Sequence, residues 1–154
     1  MVESYQQIFE SMFFETFGKE MEVAEFAVLS AGVVNTGSRV LTEDGDYFVK
    51  MNERAGENFF QQEAQNLQLL RSLGLSTPMV YGYGKITGFN YLICELISGG
   101  PEETQLWQQA GRAIGFLHTH KNNRFGFESD NYLIEMNQDN RWQEDGIAFL
   151  VQNR

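Results

Sequence analysis

The sequence predicts an α+β fold: a five-stranded antiparallel sheet with a helix packed across it, followed by a helical segment. Three observations carry that expectation. Residues 26–52, FAVLSAGVVNTGSRVLTEDGDYFVKMN, alternate apolar and β-branched runs with turn residues, the pattern of three strands joined by tight connections. Residues 79–86 and 90–97 form a further pair of strand-like runs around Thr87 and Gly88. Between these groups, and ahead of them, apolar residues recur at helical spacing.

In chain order, the first element is a helix in SYQQIFESMFFETFGKEMEV. Tyr5, Ile8, Phe9, Met12 and Phe13 share one face, Gln6, Gln7, Glu10 and Glu15 lie elsewhere, and Gly18 ends the run. Its polar face is acidic, which suits core packing and not an anionic membrane surface. The first strand leads into a turn holding Gly32 and Gly37, and the second leads into the Asp44-Gly45-Asp46 turn. In the third, Tyr47, Val49 and Met51 point one way while Phe48 and Lys50 point the other. A lysine sharing a face with a large aromatic either reaches to water or meets an anion. The next helix, from about Asn58 to Leu73, carries Phe59, Phe60, Ala64, Leu67 and Leu70 on one face, with Glu63 among them and the glutamines elsewhere. That carboxylate is either wet at the helix rim or paired, and Lys50 is the nearest cation an adjacent strand supplies. Gly74 and Pro78 bracket a turn before the last two strands, and Gly99 and Gly100 give the freedom expected of a junction. The expected organisation is therefore residues 1–97 as one domain and 98–154 as the exit from the hinge and a second, incomplete one. The latter holds a helix at 103–120, an aromatic loop and hairpin at 121–142, and the start of another helix.

Composition narrows the function classes. The 154 residues carry 42% apolar side chains, enough for a core, and a formal net charge of −10. Such a surface repels nucleic acid and anionic membranes, so neither is an expected partner. A single cysteine, Cys94, excludes an internal disulfide, and no cysteine–histidine cluster suggests zinc. Residues 1–25 have no basic start followed by an apolar run, and no window nears the roughly twenty apolar residues that cross a bilayer, so a cytoplasmic protein is expected. His118 and His120, at i and i+2 of a helix end, point in different directions, which makes a shared metal a poor reading and helix-end packing the better one for His118.

A turn between two strands, a third-strand lysine, a helix glutamate and a strand ending in an acidic hinge together resemble a protein-kinase N-lobe. Within the kinase-like small-molecule phosphotransferases, which include the aminoglycoside phosphotransferases, the chain is similar to the fructosamine (ketosamine) kinase family. The matching pieces are YFVKMN at 47–52, FFQQEAQNLQLL at 59–70, Leu117-His118, FGFESDNYL at 125–133 and RWQEDGIAFLVQNR at 141–154. The resemblance implies ATP as cosubstrate, with Lys50 on its α- and β-phosphates and Glu63 holding the ammonium in place. It implies that Ala31 to Thr36 covers the phosphates, through backbone N–H groups of Gly32, Val33, Val34 and Asn35, although only Gly32 and Gly37 of a Gly-x-Gly-x-x-Gly loop are present. Phe48 would lie against the adenine, the Glu95 carbonyl and Ile97 amide would bond its edge, and Cys94 would sit behind them as a packed thiol. The aromatic hairpin falls near the sugar cleft by the same resemblance.

Phosphoryl transfer also needs an aspartate that orients the hydroxyl, and groups that hold magnesium. In the family these lie on His-Gly-Asp and Asp-Pro segments, and no His-Gly-Asp occurs in the 154 residues, so the magnesium ligands are expected downstream of Arg154. The chain thus reads as the N-lobe, the hinge and the opening of the C-lobe of a truncated deglycation kinase acting on ketosamines of amines or protein lysines. The other reading is a catalytically inactive nucleotide-binding or protein-interaction module. With its C-lobe incomplete, the apolar faces of the 103–120 helix and of the final segment are expected to lack cover and to favour self-association.

Overall fold

The computed structural model describes residues 4–31, 35–53, 56, 59–100, 104–133 and 136–154. The chain falls into two compact units, Met1–Gly100 and Pro101–Arg154.

The first unit opens with α1 (Tyr5–Phe17), begun by a capping box in which Ser4 accepts from the Gln7 N–H and the Gln7 side chain accepts from the Ser4 N–H. Gly18 ends it in the left-handed conformation, φ 70°, its N–H closing onto the Phe14 carbonyl. Ile8, Phe9, Met12 and Phe13 are buried, whereas Tyr5 at the open end of the same face is half exposed. Strands β1 (Val23–Ala31), β2 (Thr36–Thr42), β3 (Gly45–Asn52), β4 (Val80–Ile86) and β5 (Phe89–Glu95) form one antiparallel sheet in the order β1-β2-β3-β5-β4, and α2 (Gln61–Ser72) joins β3 to β4. The two strands that carry the site, β3 and β5, therefore lie inside the sheet, with both edges of each paired.

The alternation along β3 divides the core in two. Tyr47, Val49 and Met51 join Val40, Tyr91 and Ile93 beneath α1. Phe48 faces the other way, with Leu92, Cys94, Phe60 and Ala64 beneath α2. The sequence reading put one helix across the sheet; the structure puts α1 on one face and α2 on the other, because Tyr47, Val49, Met51, Tyr91 and Ile93 make one face of β3 and β5 apolar while Phe48, Leu92 and Cys94 give the other an apolar patch. Two boundaries also move. Helix α2 begins at Gln61, three residues later than expected, and Asn58 lies outside the described residues. Gly37, expected in a turn, lies within β2 opposite Lys50. A Cβ there would stand 2.8 Å from the Phe48 ring and 2.8 Å from Ser30 Oγ, so the glycine makes room for the aromatic and not for a bend.

The second unit holds α3 (Thr104–Leu117), the short hairpin β6 (Asn131–Leu133) and β7 (Met136–Gln138), and α4 (Gly146–Asn153). Asp145 caps α4 through both the Ile147 and Ala148 N–H groups. Of the aromatics in the 121–142 loop and hairpin (Phe125, Phe127, Tyr132 and Trp142), Phe125 and Tyr132 are exposed. The buried Asn140 does the anchoring: its N–H donates to Asp130, its amide nitrogen to the Ser129 carbonyl and Asn131, and its carbonyl accepts from the Phe127 N–H. A polar residue with that many local partners organises a loop with little apolar surface of its own. Gly126, at φ 142°, lets that backbone approach, since a Cβ would lie 2.7 Å from the Asn140 carbonyl oxygen.

Candidate functional site

Lys50 lies on β3 between Gly37 of β2 and Leu92 of β5, so its backbone is fixed by strands on both sides. Its ammonium donates to both oxygens of Glu63, at 2.9 and 2.8 Å, and stands 5.6 Å from the centre of the Phe60 ring. Glu63 occupies the first turn of α2, where the helix dipole favours a carboxylate and no side chain caps the N-terminus. The two side chains are 26% and 41% exposed, open to a solvent-borne ligand and screened enough that the pair adds little to stability. Of the two readings that the sequence left for Glu63, the paired one is realised.

Phe48 is half-buried on the Lys50 face, its ring across Gly37. Cys94 is buried beside Leu92, Phe60 and Ala64. Burial pushes its thiol up to about 11, the Glu63 charge adds to the rise and Lys50 opposes it. A thiol so placed is packing and not a nucleophile. Glu95 closes β5: its N–H donates to the Met79 carbonyl and its carboxylate accepts from the Met79 N–H at 3.0 Å, which ties the end of β5 to the start of β4. Ile97, two residues on, is exposed. The Glu95 staple is a role that the sequence did not reveal, because nothing in the spacing of Met79 and Glu95 marks them as neighbours.

Of the segment expected to cover the phosphates, Gly32, Val33 and Val34 lie outside the described residues. Asn35, at its C-terminal root, is half-buried and accepts a hydrogen bond from the Asn52 amide at 2.8 Å. Asn52 was not singled out from the sequence; its place two residues after Lys50, on the same strand face, was the signal available.

Lys50, Asn35 and Phe48 thus offer a cation, an amide and an apolar ring on one side of the sheet, a donor set that fits a phosphorylated aromatic ligand. Among the described residues, no three His, Cys, Asp or Glu side chains cluster as a metal site. His118 is exposed after α3, so it is not the packing residue expected there. No helix of the described residues is long and apolar enough to cross a membrane.

Residues 5–154 match the family model described as fructosamine kinase. The chain belongs to the fructosamine kinase family. Its relatives include the chloroplastic protein-ribulosamine 3-kinase of Arabidopsis thaliana, 31% identical over 144 residues that cover 90% of this chain and 44% of the plant protein. A Synechocystis protein assigned as a ketoamine kinase is 26% identical over 142 residues, 91% of this chain and 48% of the relative. The fold agrees: the crystal structure of a Haemophilus somnus 129PT protein assigned as a fructosamine-3-kinase superposes with a TM-score of 0.85 at 27% identity, covering 95% of this chain and 50% of the other. The five-stranded antiparallel sheet with its helices is therefore the kinase-like arrangement of this family, as the sequence predicted. The chain spans about half the length of the relatives it matches.

Proposed function

We propose that this chain supplies the nucleotide-binding side of an ATP-dependent kinase that phosphorylates a sugar hydroxyl of ketosamines, the fructosamine or ribulosamine adducts of amines or protein lysines. The observation that carries the reading is the two-pronged Lys50–Glu63 ion pair on the sheet face that also bears Phe48, in a chain of the fructosamine kinase family. An ammonium has three N–H donors; Glu63 takes two and fixes the direction of the third, which is the one for an α- or β-phosphate oxygen. Asn35, with the backbone N–H groups of Gly32, Val33 and Val34, is the proposed cover over the phosphates. Phe48 takes the adenine face, the Glu95 carbonyl and Ile97 amide take its edge, and Cys94 fills the space behind. When bound, magnesium ATP supplies the phosphoryl group. The magnesium ligands and the hydroxyl-orienting aspartate are assigned to the part of the family's length that this chain does not match, since His-Gly-Asp is absent from its 154 residues.

Equilibrium titration with ATP tests the nucleotide site. A charged hydrogen bond contributes about 1.5–3 kcal/mol, so Lys50→Ala is expected to weaken binding roughly 10- to 100-fold. Unchanged affinity would remove Lys50 from the site. The assignment of the catalytic groups is tested by incubating the 154-residue chain with ATP, magnesium and a ribulosamine. No phosphorylated product is expected, and turnover would show that the catalytic groups lie within these residues.

A further inference from the structure

We propose that Asn52 is a positioning residue for the nucleotide site: it orients the Asn35 amide as a neutral donor to the same phosphate that Lys50 meets. Because β3 alternates, Lys50 and Asn52 stand on one face, about 6.5–7 Å apart along the strand. Asn52 is buried, only 3% exposed, and its amide nitrogen donates to Asn35 Oδ1 at 2.8 Å. Register places the bond at the root of the β1–β2 connection, beside the Thr36–Met51 and Gly37–Lys50 pairs.

The chemistry follows from the amide. Once its Oδ1 is held as an acceptor, the only other polar atom of the Asn35 side chain is Nδ2, a donor, and its direction is fixed by the same bond. A half-buried asparagine left to itself turns its amide either way; one held by a buried partner presents the same end to every ligand. A neutral donor turned toward the phosphate that Lys50 meets would add to the attraction for an anion and nothing for an uncharged ligand. Asn52 acts here through Asn35 and needs no contact with the ligand.

This inference rests on the nucleotide-binding reading above, and the experiment separates the two. Wild type, Asn52→Ala, Asn35→Ala, the double variant and Lys50→Ala are titrated with ADP and with adenosine. A neutral hydrogen bond corresponds to roughly 2- to 12-fold in affinity, so both single asparagine variants are expected to lose about that factor for ADP and less than twofold for adenosine. The double variant is expected to lose no more than either single one, since both remove the same interaction. Asn35 is only half-buried, so its variant remains informative if loss of the buried Asn52 amide impairs folding. Equal losses for ADP and adenosine would reduce Asn52 to a purely structural role and overturn the inference. Unchanged ADP affinity in both asparagine variants, with a loss in Lys50→Ala, would overturn it while leaving the nucleotide site standing. Failure of the folded wild-type chain to bind ADP at all would overturn the site and the inference with it.

Discussion

Cys94 shows how one buried atom links burial to pH dependence. In the unfolded chain its thiol titrates near 9.0; in the folded sheet desolvation holds it up to about 11. Below pH 9 both states keep the proton, and above it the unfolded chain loses its proton first. Stability is therefore full below pH 9 and falls as pH rises to about 11, by an amount on the order of 2 kcal/mol. Tyr47 and Tyr91, raised above their ordinary value chiefly by burial, add to the loss at still higher pH. Chemical denaturation across pH 8–11 checks this: Cys94→Ala is expected to flatten the alkaline decline, and an identical decline in the variant would show that Cys94 does not cause it. Asp139 works in the opposite direction. Arg141, bonded through Nε and a terminal nitrogen, holds its carboxylate down at about 2, so its contribution is present above the ordinary carboxylate range and is lost only as pH falls through about 2.

At the scale of elements, α1 and the Tyr91 ring pack closely against β4 where it reads Tyr-Gly-Tyr-Gly at 81–84. A Cβ on Gly82 would lie 2.6 Å from the Thr16 methyl, and one on Gly84 would lie 2.9 Å from the Tyr91 hydroxyl. Tyr81, just before Gly82, lies on the α1 side, 5.7 Å from Phe17 and edge-on to Tyr47 at 5.3 Å, within a run of rings that includes Phe13. Gly82→Ala is expected to destabilise the fold by about 1–3 kcal/mol through overpacking. Adding Thr16→Ala removes the clashing methyl, so the double variant is expected to recover most of that loss in thermal melting. Two independent, additive losses would show that the contact is not the cause. The glycines are plain in the sequence, yet their purpose is not, because a strand glycine reads equally as a bulge or a close approach until the facing helix is placed.

At the scale of the whole molecule, the two units differ in how they treat apolar surface. The first buries both faces of its sheet. In the second, α3 has no buried residue, and Trp107, Ile147 and Val151 are 67%, 76% and 76% exposed. Among the apolar residues at helical spacing along α3, Ala113 and Leu117 are half-buried, while Leu106, Ala110 and Ile114 are exposed. Apolar surface of this extent drives association. Light scattering behind size-exclusion chromatography is expected to show dimers or larger species of the 154-residue chain, and a sharp monomer peak at micromolar concentration would contradict that. Charge does not oppose the association locally, since α3 carries Arg112 as its one charged residue.

The sequence by itself determined the strands, the helices and the two candidates for the ion pair, because those depend on local signals; the pairing of Lys50 with Glu63 was left to the structure. Alternation assigns each β3 side chain to a face, the 3.6-residue period places Glu63 among the apolar residues of its helix, and the pieces from YFVKMN to RWQEDGIAFLVQNR carry the family. Only the tertiary structure decided that α1 and α2 cover opposite faces of the sheet, that Gly37 makes room for Phe48, and that Asn140 holds the hairpin. It also brought Asn52 to Asn35 and Glu95 to Met79. Each of these joins residues apart along the chain, and strand periodicity, which repeats every two residues, contains no information about which partner lies across the gap.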